Sequence, residues 1–185
     1  MEEKRVDMRK RTPEEAALYV RQNELLFQFN HTLGRTEESR EILKELLGDR
    51  IGENTVLAPP LYGAALEELR VGDRVFINSN LLAMARGGIT IEDDVQIAAN
   101  VQLLSNNHDP YDRQVLTCRP VRICKGAWIG AGASILPGGT VGRHAIVGAA
   151  SVVTHDVGDY EVVAGNPAKC IRKLDPDRFP PETEK

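Results

Sequence analysis

Aromatic residues are scarce in this sequence. Phe, Tyr and Trp make up 5% of its 185 residues, and Trp occurs once. A core without stacked rings has to be built from aliphatic and small side chains. Cysteine is scarce too. Cys118, Cys124 and Cys170 are odd in number and lack metal-ligand spacing, so free thiols in a reducing cytoplasm are expected. No apolar run approaches the roughly 18 residues of a membrane span. No apolar stretch follows the charged start Met1-Glu2-Glu3-Lys4-Arg5, so a secretory signal is not expected. Nor does one sign of charge dominate: 23 Lys and Arg face 27 Asp and Glu, a net of −4. That balance gives no global reason to hold nucleic acid or an anionic membrane.

What is present divides in two. Residues 1–50 read as a helical segment. Thr12-Pro13-Glu14-Glu15 has the form of a capping box, with Thr12 at N-cap, Pro13 at N1 and Glu15 at N3. Leu18, Leu25, Leu26 and Phe29 follow at helical spacing. A second start at Thr36 precedes the stripe Ile42, Leu43, Leu46 and Leu47, which ends at Gly48.

From Ile51 the texture changes, and from Ile123 a period of six is plain. Positions 123, 129, 135, 141, 147 and 153 are Ile, Ile, Ile, Val, Val and Val. Two residues before each stand Val121, Ala127, Ala133, Gly139, Ala145 and Ser151, nearly all small. Fainter turns of the same screw are Val71/Ile77 and Ile91/Ile97/Leu103. A period of six fits neither an α-helix face nor one long strand. It fits a triangular coil with three flat sides, a parallel β-helix whose interior is a stacked aliphatic column. Small residues at i−2 are expected because the interior is narrow. Gly130, Gly142 and Gly148 are expected to permit the corner turns. The coil should span 51–174, interrupted by a loop at 104–122 of the kind that carries function. The tail 175–185 is expected to fray.

Several stretches together resemble the maltose and galactoside O-acetyltransferases, a branch of the hexapeptide-repeat acyltransferases. They are Gln28-Phe29-Asn30-His31-Thr32, Pro59-Pro60-Leu61-Tyr62, Phe76-Ile77-Asn78-Ser79-Asn80, Asn107-His108-Asp109-Pro110, Trp128-Ile129-Gly130 and Val163-Ala164-Gly165-Asn166-Pro167-Ala168-Lys169. The similarity runs from about Thr12 to Leu174. It implies a left-handed coil and an enzyme that moves acetyl from acetyl-CoA, without a metal, to a hydroxyl of a sugar or similar small acceptor. It also implies a cytoplasmic homotrimer with sites between subunits.

The family's catalytic His falls on His108. Acyl transfer to an alcohol needs a base for the hydroxyl proton, and imidazole suits neutral pH. By the same resemblance Asn78 holds the acceptor and Trp128 packs on the pantetheine arm. The Ala131 N–H faces the thioester oxygen, and the backbone at Ala149 bonds the pantetheine amides. Thr154 and His155 stand where relatives carry a Thr-Lys pair near the nucleotide phosphates, so a fixed charge has become titratable. Lys169 and Arg172 match two basic residues near the 3′-phosphate.

The acceptor side departs from the pattern. Arg86 stands about where relatives have an acidic residue, and Ala64 stands where they have Ser. No acidic residue of the helices aligns with a second one, Asp7 being only nearby. The His108 loop is also shorter. Two alternatives use the same coil. A γ-type carbonic anhydrase would bring His108, His144 and His155 to a zinc ion across subunits. A non-catalytic scaffold is the other.

Overall fold

The computed structural model describes residues 3–180. From residue 51 the chain winds into stacked triangular coils, and each coil adds a short strand to each of three faces. The first face stacks Val56–Leu57, Phe76–Ile77, Gln96–Ile97, Trp128–Ile129, Ile146–Val147 and Glu161–Gly165 in parallel, and Ala168–Lys173 folds back antiparallel to close it. The second face holds Leu61–Ala64, Leu81–Met84, Gln102–Leu104, Ser134–Ile135 and Val152–Val153. The third holds Leu69–Val71, Ile89–Ile91, Val121–Ile123 and Thr140–Val141.

The inward column is aliphatic throughout. Ile77, Ile97, Ile123, Ile129, Ile135, Val141 and Val147 are wholly buried. The coils are not uniform. Leu57, Ile77 and Ile97 stack at intervals of 20 residues, whereas Ile129 and Val147 are 18 apart. In the tighter coils the position two before the key residue is small: Ala127, Ala133, Ala145 and Ser151 are all buried. In the wider ones it is Val75, Val95 or Val101. The expectation of small residues at i−2 therefore holds only where the coil narrows.

The glycines after the key residues are not turn residues. The left-handed corner positions are taken by Gly126 and Gly132, and by Asn54, Arg74, Asp94, Asn80, Asn100, His144, Ala150 and Tyr160. Gly130 and Gly142 are excluded from carrying a side chain for another reason. A Cβ at Gly130 would lie 2.6 Å from the Ala149 nitrogen, and one at Gly142 would lie 2.5 Å from the Asp159 nitrogen. The backbone of the next coil occupies that space.

Helix α1 (Pro13–Asn30) begins on the capping box. The Glu15 amide donates to Thr12 Oγ1 at 3.2 Å, and the Thr12 amide donates to Glu15 Oε2 at 3.0 Å. Helix α2 (Glu37–Leu47) starts from Thr36. Leu25, Leu26, Phe29, Leu43, Leu46 and Leu47 join the same core as Leu57, Leu61 and Leu66, so the helices plug the open end of the solenoid. Asn30 fastens α1 to the first coil. Its Nδ2 donates to the Leu61 carbonyl and its Oδ1 accepts the Leu61 amide, each at 2.8 Å.

Two local expectations need correction. Lys4–Asp7, inside the segment read as helical, is a β-strand. The tail is docked as far as it is described: Phe179 packs 4.5 Å from the His144 ring and 5.3 Å from the Tyr160 ring. Residues 181–185 lie outside the described residues. The three cysteines are unpaired, and no helix among the described residues is long and apolar enough to cross a membrane.

Candidate functional site

The interrupting loop leaves the second face after Leu104 and rejoins the third at Val121. It is folded: Asn106–His108 pairs antiparallel with Val115–Cys118, whose other edge takes Lys4–Asp7. Asp109 organises the turn. Its Oδ1 accepts the amides of Tyr111 at 2.7 Å and Asp112 at 3.1 Å, and its Oδ2 accepts the Arg5 guanidinium. The Arg5 hydrogen bond, followed by those two amides, lowers the Asp109 carboxyl to about 2. Arg113 Nη1 donates back to the Asp109 carbonyl at 2.8 Å.

This turn delivers the Arg113 carbonyl to His108, 2.6 Å from Nδ1. A carbonyl oxygen only accepts, so Nδ1 carries the hydrogen. Nε2 is left with its lone pair, the tautomer a general base requires. The ring itself is exposed.

His108 borders a cavity of about 270 Å³. Its apolar wall includes Val6, Met8, Tyr19, Ala64, Met84 and Leu116, and its polar wall includes Asp7, Arg11, Glu15, Arg86 and Asn106. The bend that aims Arg86 is set by buried Ser105. Ser105 Oγ donates to the Met84 carbonyl at 2.7 Å and accepts the Gly87 amide at 2.8 Å. Asp7 is already occupied by Arg9, whose Nε and Nη2 lie 2.8 and 3.1 Å from its two oxygens and whose hydrogen bond lowers its carboxyl.

The other expected residues stand elsewhere. Asn78, Ala131 and Ala149 share the edge between the first and second faces, where successive corners stack. Asn78 Oδ1 accepts the Ser79 amide at 2.8 Å, and Asn78 does not line the His108 cavity. Within the described residues the N–H groups of Ala131 and Ala149 donate to no protein acceptor. Trp128 is 50% exposed on the first face. It is in register with Ile146, Val162 and Arg172 in turn, so Trp128 and Arg172 share a surface roughly 14 Å apart. Lys169 and Arg172 are three apart in sequence, which should put them on opposite sides of a strand. A bulge between Val162 and Val163 shifts the register, so Lys169 opposes Ala164, Arg172 opposes Val162, and both cations share one side.

Thr154 and His155 follow the second-face strand Val152–Val153, on the edge from which the His108 loop departs. Thr154 Oγ1 is 2.9 Å from His155 Nδ1. Six residues of chain, roughly 20 Å if extended, separate them from Ala149. The expected residues thus fall into two groups. His108, Thr154 and His155 lie at one edge of the second face, while Asn78, Ala131 and Ala149 lie at the other. His144 is stacked with Tyr160 on a third edge. The three histidines invoked for zinc do not meet within the chain, and the described residues contain no three-ligand group fit for a metal.

Nothing in the sequence assigned a role to Arg5, Asp109, Asn106, Arg11 or Tyr19. Glu15 was legible only as a capping residue, and a four-residue strand carries too short a pattern to register.

The chain is a repeat solenoid interrupted by a His-bearing loop. Residues 68–105 and 120–155 match the family model described as the hexapeptide repeat of succinyl-transferase. The galactoside O-acetyltransferase of Escherichia coli is 32% identical over 160 residues, covering 84% of this chain and 78% of that one. The enzyme of the same name from Lactococcus lactis is 31% identical over 176 residues, 90% and 84% of the two chains. Among solved structures, a hexapeptide-repeat acetyltransferase of Vibrio cholerae complexed with acetyl-CoA superposes with a TM-score of 0.84 at 32% identity, covering 89% of this chain and 91% of that one. A galactoside acetyltransferase in complex with coenzyme A gives the same TM-score at 28% identity, covering 95% and 92%. The chain belongs to the hexapeptide-repeat acetyltransferases of the galactoside O-acetyltransferase type, and it is an acyltransferase.

Proposed function

We propose that the protein transfers acetyl from acetyl-CoA to a hydroxyl of a small acceptor, with His108 as general base, in sites completed between copies of the chain. The observation that carries this reading is the 2.6 Å contact from His108 Nδ1 to the Arg113 carbonyl, which leaves Nε2 basic beside a cavity. The acceptor oxygen attacks the thioester carbonyl carbon while Nε2 takes its proton. The resulting oxyanion takes the Ala131 N–H, whose donor capacity is otherwise unused. Collapse breaks the carbon–sulfur bond, and the imidazolium returns its proton to the departing thiolate. Trp128 and the Ala149 amide serve the pantetheine arm. Lys169 and Arg172 serve the nucleotide phosphates from the surface they share with Trp128, and Thr154 and His155 serve them from the other edge.

The separation of the two groups supports a homotrimer, because the base edge of one copy must face the arm edge of the next. Three free thiols fit a cytoplasmic setting. The test is His108→Ala, followed by thiol release from acetyl-CoA and by calorimetry with CoA. Turnover should fall by roughly 10² or more with CoA affinity retained, since a positioned base contributes about 10²–10⁴. Unchanged turnover would overturn the assignment.

A further inference from the structure

The walls of the cavity beside His108 are largely apolar, and the charges around it are engaged with one another. The apolar walls follow from strand register. Val6 opposes Leu116, and Leu116 opposes His108, so the three side chains stand in a row on one side of the small antiparallel sheet. His108 is at the end of that row. A second apolar wall is the pair Ala64 and Met84, in register on adjacent coils of the second face. Met8 and the Tyr19 ring line the cavity from the N-terminal segment.

The charged groups have their partners within the protein. Both Asp7 oxygens are held by Arg9, at 2.8 and 3.1 Å. Arg86, its side chain 23% exposed, stands between two carboxylates: its Nη1 is 3.6 Å from Glu67 Oε1 and 4.0 Å from Glu15 Oε1. The other oxygen of each is hydrogen-bonded, Glu67 Oε2 to Gln22 Nε2 at 2.8 Å and Glu15 Oε2 to the Thr12 amide at 3.0 Å. Arg11 lies over the Tyr19 ring, 4.9 Å from its centroid. A sugar ring carries an oxygen on nearly every carbon. In this cavity many of those oxygens would lie against carbon, and any near Glu15 and Glu67 would have to compete with Arg86. A polar group taken from water without a partner is disfavoured, whereas apolar surface gains by the same move.

We propose that the acceptor is an alcohol with an apolar body of about one ring, its hydroxyl presented to His108 Nε2, and that Arg86 sets this preference by occupying the two carboxylates that could otherwise accept sugar hydroxyls. This rests on the acetyltransferase reading and narrows its substrate class. The cavity volume, about 270 Å³, lies just under the range of pockets that take drug-sized ligands, which suits one ring. An ionised carboxylate only accepts hydrogen bonds, so Glu15 and Glu67 released from Arg86 would receive the hydroxyls of a polyol.

The test compares cyclohexylmethanol with methyl galactoside, and benzyl alcohol with glucose. Each pair shares a six-membered ring bearing a hydroxymethyl group and differs in the polarity of the ring. Thiol release from acetyl-CoA gives kcat/KM for each acceptor, and calorimetry gives CoA affinity on the same preparations. The alcohol of each pair should be favoured about tenfold or more, since one added hydroxyl is rejected by roughly 10² in a hydrophobic pocket. Arg86→Gln should reduce that preference several-fold by freeing Glu15 and Glu67, and Arg86→Lys, which keeps the charge, should hold more of it. Met84→Gln places an amide in the apolar wall without touching the ion pairs and should reduce the preference as well. Sugars used as well as the alcohols, alcohols that release no thiol, or a preference unmoved by Arg86→Gln and Met84→Gln with CoA affinity retained, would overturn the inference and leave the acetyltransferase reading standing. Failure to bind acetyl-CoA at all would overturn both.

Discussion

At the scale of single residues, the same residue type does different work at neighbouring positions. Gly132 occupies a left-handed corner at φ 69° and its side-chain direction is open. Gly130, two residues before it, has its side-chain direction filled by the backbone of the next coil. A β-carbon there would sit 2.6 Å from the Ala149 nitrogen and 2.7 Å from the Val147 oxygen. Backbone on both sides of the contact cannot rotate away as a side chain could. Gly130→Ala should therefore destabilise by about 1–3 kcal/mol, the usual cost of overpacking. Thermal unfolding followed by circular dichroism would check this. Because the displaced amide is that of Ala149, CoA affinity should fall in the same variant. A variant with wild-type melting would show that the coils can move apart freely.

At the scale of elements, the His108 loop depends on a strand remote in sequence. Lys4–Asp7 pairs with Val115–Cys118, and Arg5 reaches Asp109, the residue that shapes the turn carrying the Arg113 carbonyl. His108 orientation is thereby tied to the N-terminus. The Asp109 carboxyl is depressed from 3.8 to about 2 by the Arg5 hydrogen bond and then by the turn amides. A depressed carboxyl stabilises the fold above its unfolded value, and the contribution is lost as pH falls through the folded one. The loop should be fully anchored above about pH 4 and should loosen between there and about pH 2. Amide exchange of residues 109–115 across that window would report it, and Asp109→Asn should remove the acid dependence. At neutral pH the same variant should lower kcat with little change in the KM for acetyl-CoA, because the base proposed above is misaimed while the proposed arm site is left intact. An unchanged kcat would show that the loop holds its shape without Arg5.

At the scale of the whole molecule, His108 and Asn78 lie on opposite edges of one face. No rearrangement inside a rigid solenoid brings Asn78 to His108. The site proposed between subunits predicts complementation. His108→Ala and Asn78→Ala should each be impaired as pure preparations, yet co-refolded mixtures should regain activity. Each mixed interface of the right order joins an intact His108 to an intact Asn78. Equal mixing in a cyclic assembly restores about a quarter of the sites. Recovery of activity on mixing, together with a trimer mass by light scattering, checks this. No recovery would place both residues of a site in one subunit.

Much of this was legible in order along the chain. The β-branched period of six announced the solenoid, because a three-sided coil demands one inward aliphatic residue per side whatever surrounds it. Thr12 and Glu15 announced the start of α1, because capping is settled within one turn. His108 stood out because it interrupts a period. Other features were set only by contacts across many residues. The wider early coils admit Val75 and Val95, where the repeat alone predicts small residues. The bulge at Val162/Val163 puts Lys169 and Arg172 on one side despite their spacing. Lys4–Asp7 becomes a strand because a loop over a hundred residues later offers it an edge. Arg86 acquires its surroundings only from the packing of α1 on the coils, which sets the Glu67 and Glu15 carboxylates 3.6 and 4.0 Å from its guanidinium. A local pattern specifies what a segment does with its own backbone. The pairing of polar groups across a cavity depends on which segments the fold brings together, and that is decided only when the coils and the helices have packed.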